Sequence, residues 1–189
     1  MKCGKPLLQE NEEYCAECRQ REHEFIQGKS LYEYESAAAS IYRFKYAKRR
    51  EYAEFFGEEL SERFRDIIKE WDADALIPIP IHETRKRKRG YNQAELLAEQ
   101  LGKRLDIPVE SKLLVRCRKT TPQKELNAVQ RQNNLKKAFK ISKNDVKLST
   151  IIVIDDIYTT GSTVDEATRI LKRAGIEKVY VLTLAIGNI

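Results

Sequence analysis

The sequence predicts an α/β fold, a parallel sheet flanked by helices, with a small cysteine-bearing segment ahead of it. Three observations predict this. The run Ile151-Ile152-Val153-Ile154 is the most apolar β-branched stretch in the chain, the pattern of a central parallel strand covered on both faces. A loop, a helical pattern and a last apolar strand follow it in short succession, which is the crossover unit of a parallel sheet. From Glu51 onward apolar residues recur at spacings of three and four, the mark of a long helix with one buried stripe.

In chain order, residues 1–28 hold few large apolar side chains and a Cys-x-x-Cys, so they cannot bury a core unaided and are set apart from a main domain over 29–189. Leu31-Tyr32-Glu33-Tyr34 alternates as a short strand does, and residues 36–46 read as a helix. Tyr52, Phe55, Phe56, Leu60, Phe64, Ile67, Ile68 and Trp71 form the stripe of the long helix and are assigned to the core. Ala75-Leu76-Ile77-Pro78-Ile79-Pro80-Ile81 is a buried strand running into a loop, because its prolines withhold amides from any continuing ladder. The basic stretch 85–89 is read as part of that loop. Asn92 with Glu95 three residues on has the form of a helix cap, ahead of Ala94, Leu97, Ala98, Leu101 and Leu105 on one face. Leu113-Leu114-Val115 is a candidate strand. Residues 117–132 are polar, lack a period and contain Pro122, so a mobile loop is expected there, with Cys117 as a reduced thiol. After the central strand, Val164, Ala167, Ile170, Leu171 and Ala174 mark a helix closed by Gly175, and 179–186 is the final strand. There is no internal repeat and no low-complexity segment.

Composition narrows the function classes. No apolar run approaches the roughly 18 residues of a membrane span, and Met1-Lys2-Cys3-Gly4 does not open a signal peptide, so a cytosolic location is expected. The net charge of +6 is unevenly placed. Residues 85–89 are Arg-Lys-Arg-Lys-Arg, and 112–140 carry nine basic residues against Glu125 alone, which leaves the rest of the chain net acidic. Cations gathered in this way point to anion contact, either phosphates of a small ligand or a nucleic-acid backbone.

The chemistry concentrates in Asp155-Asp156-Ile157-Tyr158-Thr159-Thr160-Gly161-Ser162-Thr163, at the carboxyl end of the central strand, where open α/β sheets bind ligands. Small hydroxyl residues around a glycine let consecutive amides turn toward one point, and the following helix adds its positive end. Thr159, Thr160, Gly161, Ser162 and Thr163 are therefore a candidate phosphate cradle. Asp155 and Asp156, acceptors at neutral pH, suit the vicinal hydroxyls of a ribose.

Four apolar residues, two acids, two spacers and Thr-Thr-Gly-Ser-Thr resemble the phosphoribosyl-pyrophosphate motif of type I phosphoribosyltransferases, which implies that fold for the sheet domain. Thr159 stands where purine-salvage members of that group carry an aspartate proposed as a base, so no general acid or base for an incoming nucleobase is evident. Ile77-Pro78-Ile79-Pro80, Arg85, Arg89-Gly90-Tyr91-Asn92-Gln93-Ala94, Thr121-Pro122-Gln123 and Arg131-Gln132-Asn133-Asn134 are together similar to the ComF/GntX family, one branch of which is tied to DNA uptake in competent bacteria. This likeness extends over essentially the whole chain. It implies that Arg85, Arg89 and Gly90 lie where pyrophosphate binds, Arg85 and Arg89 as forked donors and Gly90 as a point of close backbone approach. Residues 116–131 would be the flap over the ligand. Lys45 and Tyr46 also match the pattern, though a lone lysine on a helix is ordinarily solvated. His82 is read as a loop residue.

Cys15-Ala16-Glu17-Cys18 has the spacing with which two thiolates clasp one zinc, and Cys3 is a third candidate. The family likeness implies a first Cys-x-x-Cys whose second member is Cys3 and whose first would fall before Met1, so a short zinc-ribbon remnant is expected, its fourth ligand supplied from upstream, by His23 or by a second copy. Two functional expectations result. One is a phosphoribosyl-binding protein that handles incoming single-stranded DNA, its ribbon end docking helicase or recombination proteins of competence. The other is a working phosphoribosyltransferase, in which Mg²⁺ bridges pyrophosphate and ribose hydroxyls. Against the second, no segment reads as a hood for a nucleobase.

Overall fold

The computed structural model describes residues 2–5, 7, 12–117, 138–142 and 147–187. The greater part of the expected flap at 116–131, and with it Thr121, Pro122 and Arg131, lies outside the described residues. A short helix, α1 (Ala16–Gln20), precedes β1 (Gly28–Glu33), α2 (Tyr34–Tyr46) and the long α3 (Tyr52–Trp71). Then come β2 (Ala75–Pro78), α4 (Glu83–Arg89), α5 (Gln93–Leu105), β3 (Leu114–Arg116), β4 (Phe139–Ile141), β5 (Thr150–Tyr158), α6 (Ser162–Arg173) and β6 (Lys178–Ile186). Four strands make one parallel sheet in the order β1-β6-β5-β2, while β3 and β4 pair antiparallel beside it.

The sheet is covered on both faces, and the alternation along β5 shows how. Ile151 and Val153 point into a core with Phe25, Ile77, Val179, Val181 and the α6 residues Val164, Ala167 and Leu171. Ile152 and Ile154 point the other way, against Ile41 and Phe44 of α2, Phe56 and Leu60 of α3, and Leu97 and Leu101 of α5. A strand buried on both sides must be apolar at every position, which is why this run stood out in the sequence. The β5–α6–β6 unit joins two neighbouring parallel strands, with Asp155 opposite Thr183.

Local sequence sets the edges of these elements. Trp71 ends α3 by lying flat on Tyr180, ring centres 4.6 Å apart, and Asp72 takes the left-handed backbone (φ 46°) that stops the helix. The Asp74 carboxylate then accepts the amides of Ser149 and Thr150 at 2.7 and 2.8 Å, fixing β2 against β5.

The structure corrects three readings. Residues 85–89 belong to the helix α4, not to a loop. His82 caps it by accepting the Thr84 amide, straight-chain Arg and Lys favour helix, the last-turn cations suit its carboxyl end, and Gly90 terminates it at φ 86°. Because α4 buries no residue, it has no apolar stripe from which a helix could be read. Asn92 occupies the cap position of α5 without a capping bond; its amide instead donates to the Ile79 carbonyl at 2.9 Å. Phe55 faces outward, 51% exposed, while its neighbour Phe56 is buried.

Candidate functional site

A cavity of about 450 Å³ opens beyond the carboxyl ends of β2 and β5, lined on one side by residues from Asp155 to Val164 and on the other by α2 and α4. Asp155, Asp156, Thr159, Gly161, Ser162 and Thr163 reach its wall, as do Arg85 and Arg89. Thr160 and Gly90 do not. The Thr160 hydroxyl meets Ser162 Oγ at 2.9 Å, and the Gly90 carbonyl accepts from Arg50 at 2.7 Å.

The turn into α6 depends on Gly161. Its φ of 72° is left-handed, and a side chain there would run into the Tyr158 hydroxyl and come within 3.0 Å of His23 Cε1. Ser162, Thr163 and Val164 form the first turn of a helix of 12 residues, the end at which backbone N–H groups gather and the helix dipole favours an anion. Behind the turn lies a network that the sequence did not disclose. Arg21 donates to the Thr160 carbonyl and to Ser162 Oγ, each at 3.2 Å, and pairs with Asp165 at 3.0 Å. His23 sits between Asp165 (Nδ1, 2.9 Å) and the Tyr158 hydroxyl (Nε2, 3.2 Å). Both of its nitrogens are thus engaged away from the cysteines, so of the three alternatives for a fourth zinc ligand His23 is the one the geometry disfavours.

Opposite the turn, charge is dense. Lys45, set aside in the sequence as a solvated lysine, is largely buried and pairs with Asp156 at 3.0 Å. Arg116, assigned to the flap, stands at the end of β3 in the cavity wall beside the Phe139 ring. Burial, and then the Arg85 charge, hold the Arg116 guanidinium down to about 10; burial and Arg89 lower Arg85 as well. Burial, followed by the charge of Asp156, pushes the Asp155 carboxyl up to about 7 although Lys45 and Arg116 oppose this. Crowded cations facing a carboxylate pair suit a ligand with phosphate at both ends and hydroxyls between.

The string after Arg89 holds the wall in place. Tyr91 donates to the Phe44 carbonyl, Gln93 reaches the same carbonyl at 3.5 Å, and Arg89 donates to Gln93 Oε1 at 2.8 Å. These bonds pin the start of α5 to the end of α2 and aim Arg89 across the cavity mouth.

At the amino-terminal segment, the ligand atoms of Cys3, Cys15 and Cys18 all lie within 4.8 Å of one another, with Cys3 Sγ 3.5 Å from Cys15 Sγ. Burial raises the Cys3 and Cys18 thiols; at Cys15 it is outweighed by hydrogen bonds from the Cys18 amide and the neighbouring thiols, so that thiol is lowered. Three converging sulfurs form a soft donor set of the kind that holds Zn²⁺. Among the described residues, no helix is long and apolar enough to cross a membrane.

This geometry agrees with what the chain resembles. A family model of the phosphoribosyl transferase domain matches residues 87–188, and the parallel sheet with its flanking helices fits the type I fold of that class. Competence protein F of Haemophilus influenzae is 41% identical over 114 residues, covering 59% of this chain and 50% of that protein. DNA utilization protein YhgH of Escherichia coli K12 is 36% identical over 111 residues, 59% of this chain and 48% of that one. Competence protein ComFC of Bacillus subtilis is 30% identical over 181 residues, 92% of this chain and 71% of that protein. The chain belongs to the ComF family of phosphoribosyltransferase-domain proteins. Its matches span about half the length of the first two relatives.

Proposed function

We propose that the chain binds phosphoribosyl pyrophosphate with Mg²⁺ and acts in the handling of single-stranded DNA during transformation. The observation that supports this best is the single cavity in which Asp155 and Asp156 stand between the Gly161 turn and the guanidinium groups of Arg85, Arg89 and Arg116. In this reading the amides of Ser162 and Thr163 take the 5-phosphate, Asp155 and Asp156 accept from the ribose hydroxyls, and Arg85 and Arg89 hold pyrophosphate. Lys45, which neutralises Asp156 in the free chain, is a further anion contact. Mg²⁺ suits the hard oxygen donors of the two carboxylates and the ligand, and supplies charge neutralisation. Zn²⁺ suits Cys3, Cys15 and Cys18 as a structural ion, and that end of the molecule is the proposed docking point for helicase or recombination proteins. The role in DNA handling is carried over from the printed names of the competence and DNA utilization relatives.

A second reading, an active phosphoribosyltransferase, is favoured by Asp155. A carboxyl pushed up to about 7 is poised to exchange a proton near neutral pH.

Calorimetric titration of phosphoribosyl pyrophosphate with Mg²⁺ is the test. One ligand per chain is expected, with affinity reduced at least about tenfold in Asp156→Ala, on the scale of a lost charge-assisted contact. Absence of binding to the parent protein would remove the reading. Release of pyrophosphate in the presence of nucleobases would favour the transferase.

A further inference from the structure

We propose that Tyr46, in the cavity wall, and Tyr42, one helical turn before it, form a stacking surface for the bases of a single nucleic-acid strand whose phosphates run along the neighbouring cations. This rests on the nucleic-acid reading above and gives that reading a location. The two tyrosines are a helical turn apart on α2 and share a face, their ring centres 5.0 Å apart. They are 61% and 52% exposed, so two adjoining aromatic rings face water at the end of a helix whose other side is core. A lone exposed tyrosine needs no explanation, but a pair set among cations is what a stacking platform requires.

The cations come from two stretches distant in sequence. Residues 42–50 read Tyr-Arg-Phe-Lys-Tyr-Ala-Lys-Arg-Arg, five basic residues with no acid. Helix α4 brings the second set alongside. Arg89 lies 5.0 Å over the Tyr46 ring, and Arg50 lies 4.9 Å over Tyr91 while donating to the Gly90 carbonyl. The occupant must therefore be a polyanion with flat rings, and a single strand of nucleic acid is both. Base-to-aromatic stacking tolerates any sequence, as a chain that handles unspecified DNA needs. Tyr46 and Lys48 also line the cavity, so strand and phosphoribosyl ligand would meet at one rim.

The test compares a labelled oligothymidylate with an abasic strand of equal length by fluorescence anisotropy. Tyr42→Ala is the clean variant, because Tyr42 does not line the cavity and its exposed ring carries no core packing. Its affinity for oligothymidylate should fall by about five- to a hundredfold, the scale of one lost stacking contact. Affinity for the abasic strand should equal that of the parent, and Tyr42→Phe should restore oligothymidylate binding. The dependence of log affinity on log salt should keep its slope in Tyr42→Ala and become shallower in Lys48→Ala, which removes a phosphate contact. Equal binding of oligothymidylate by Tyr42→Ala and parent, or an equal loss on both strands, would overturn the stacking surface and leave the nucleic-acid reading standing. If the parent binds neither strand, both fall, while phosphoribosyl binding remains to be judged by calorimetry.

Discussion

Asp155 follows four fully buried residues of β5, Ile151 to Ile154, and stands beside a second carboxylate, and both circumstances favour its protonated form. An acid held above its unfolded value of about 3.9 keeps its proton longer in the native chain. The stability it lends is whole below about pH 4 and is lost as pH rises through about 7. Asp155→Asn cannot ionise, so it should match the parent in thermal unfolding at pH 4 and exceed it at pH 8, by on the order of 4 kcal/mol. The same variant should bind phosphoribosyl pyrophosphate more weakly, since an amide presents a donor to a ribose hydroxyl where a carboxylate accepts. A destabilising residue retained at a site is what ligand binding demands. Lys45 supplies a second residue-scale test. Lys45→Met keeps the aliphatic stem but leaves Asp156 without its 3.0 Å partner. Affinity measured by calorimetry should drop about tenfold, and the unfolding temperature should fall as well, because removing one partner of a largely buried pair leaves the other charge uncompensated.

At the scale of elements, the turn between β5 and α6 is the part most legible in the sequence. Its strand is apolar at successive positions, its glycine and hydroxyl residues are contiguous, and its helix has an unbroken stripe, so each signal is local. Helix α4 was not legible, since a helix that buries nothing has no stripe and charge alone does not specify backbone. Lys45 and Arg116 were also hidden. Each gains its role from a carboxylate or cavity wall supplied by a remote element, and tertiary placement leaves no mark in local spacing. His23 shows the converse, because its place after a cysteine pair makes it one of three alternatives for a fourth metal ligand while its partners, Tyr158 and Asp165, come from the far end of the chain. These partners also change what a mutation at Gly161 would report. Gly161→Val would strike the buried Tyr158 ring, so it should lower the unfolding temperature together with ligand affinity, and thermal scanning alongside calorimetry would expose the mixture. Arg21→Gln is the better probe of the loop. It removes a donor from the Thr160 carbonyl and Ser162 Oγ while leaving Asp155, Asp156, Arg85 and Arg89 in place, and ribose-5-phosphate affinity should fall while pyrophosphate affinity, which is proposed to depend on α4, stays the same.

Over the whole molecule, the amino-terminal segment is bonded to the sheet at several points, and one of them leads to the Gly161 turn. Ile26 donates to Val179 at 2.8 Å, Gly28 donates to Lys2 at 2.6 Å, and Cys3 packs into the same core as Phe25 and Tyr158. Arg21 follows directly on α1, the helix that carries Cys18, and ends on the Thr160 carbonyl of the Gly161 turn, the proposed phosphate cradle. An ion held by Cys3, Cys15 and Cys18 would order α1 and so fix Arg21, which makes metal binding and phosphate binding linked equilibria, each strengthening the other. Stripping the metal with a chelator should therefore weaken ribose-5-phosphate binding several-fold, within the range of about 5- to 150-fold that such couplings span. Cys15→Ser should reproduce the loss and, by elemental analysis, carry less zinc. The coupling has a specific route, so in Arg21→Gln the chelator should no longer change ribose-5-phosphate affinity even though the unfolding temperature still falls on metal removal. A phosphate site indifferent to chelation in the parent protein would show that the cysteine cluster only braces the amino-terminal segment.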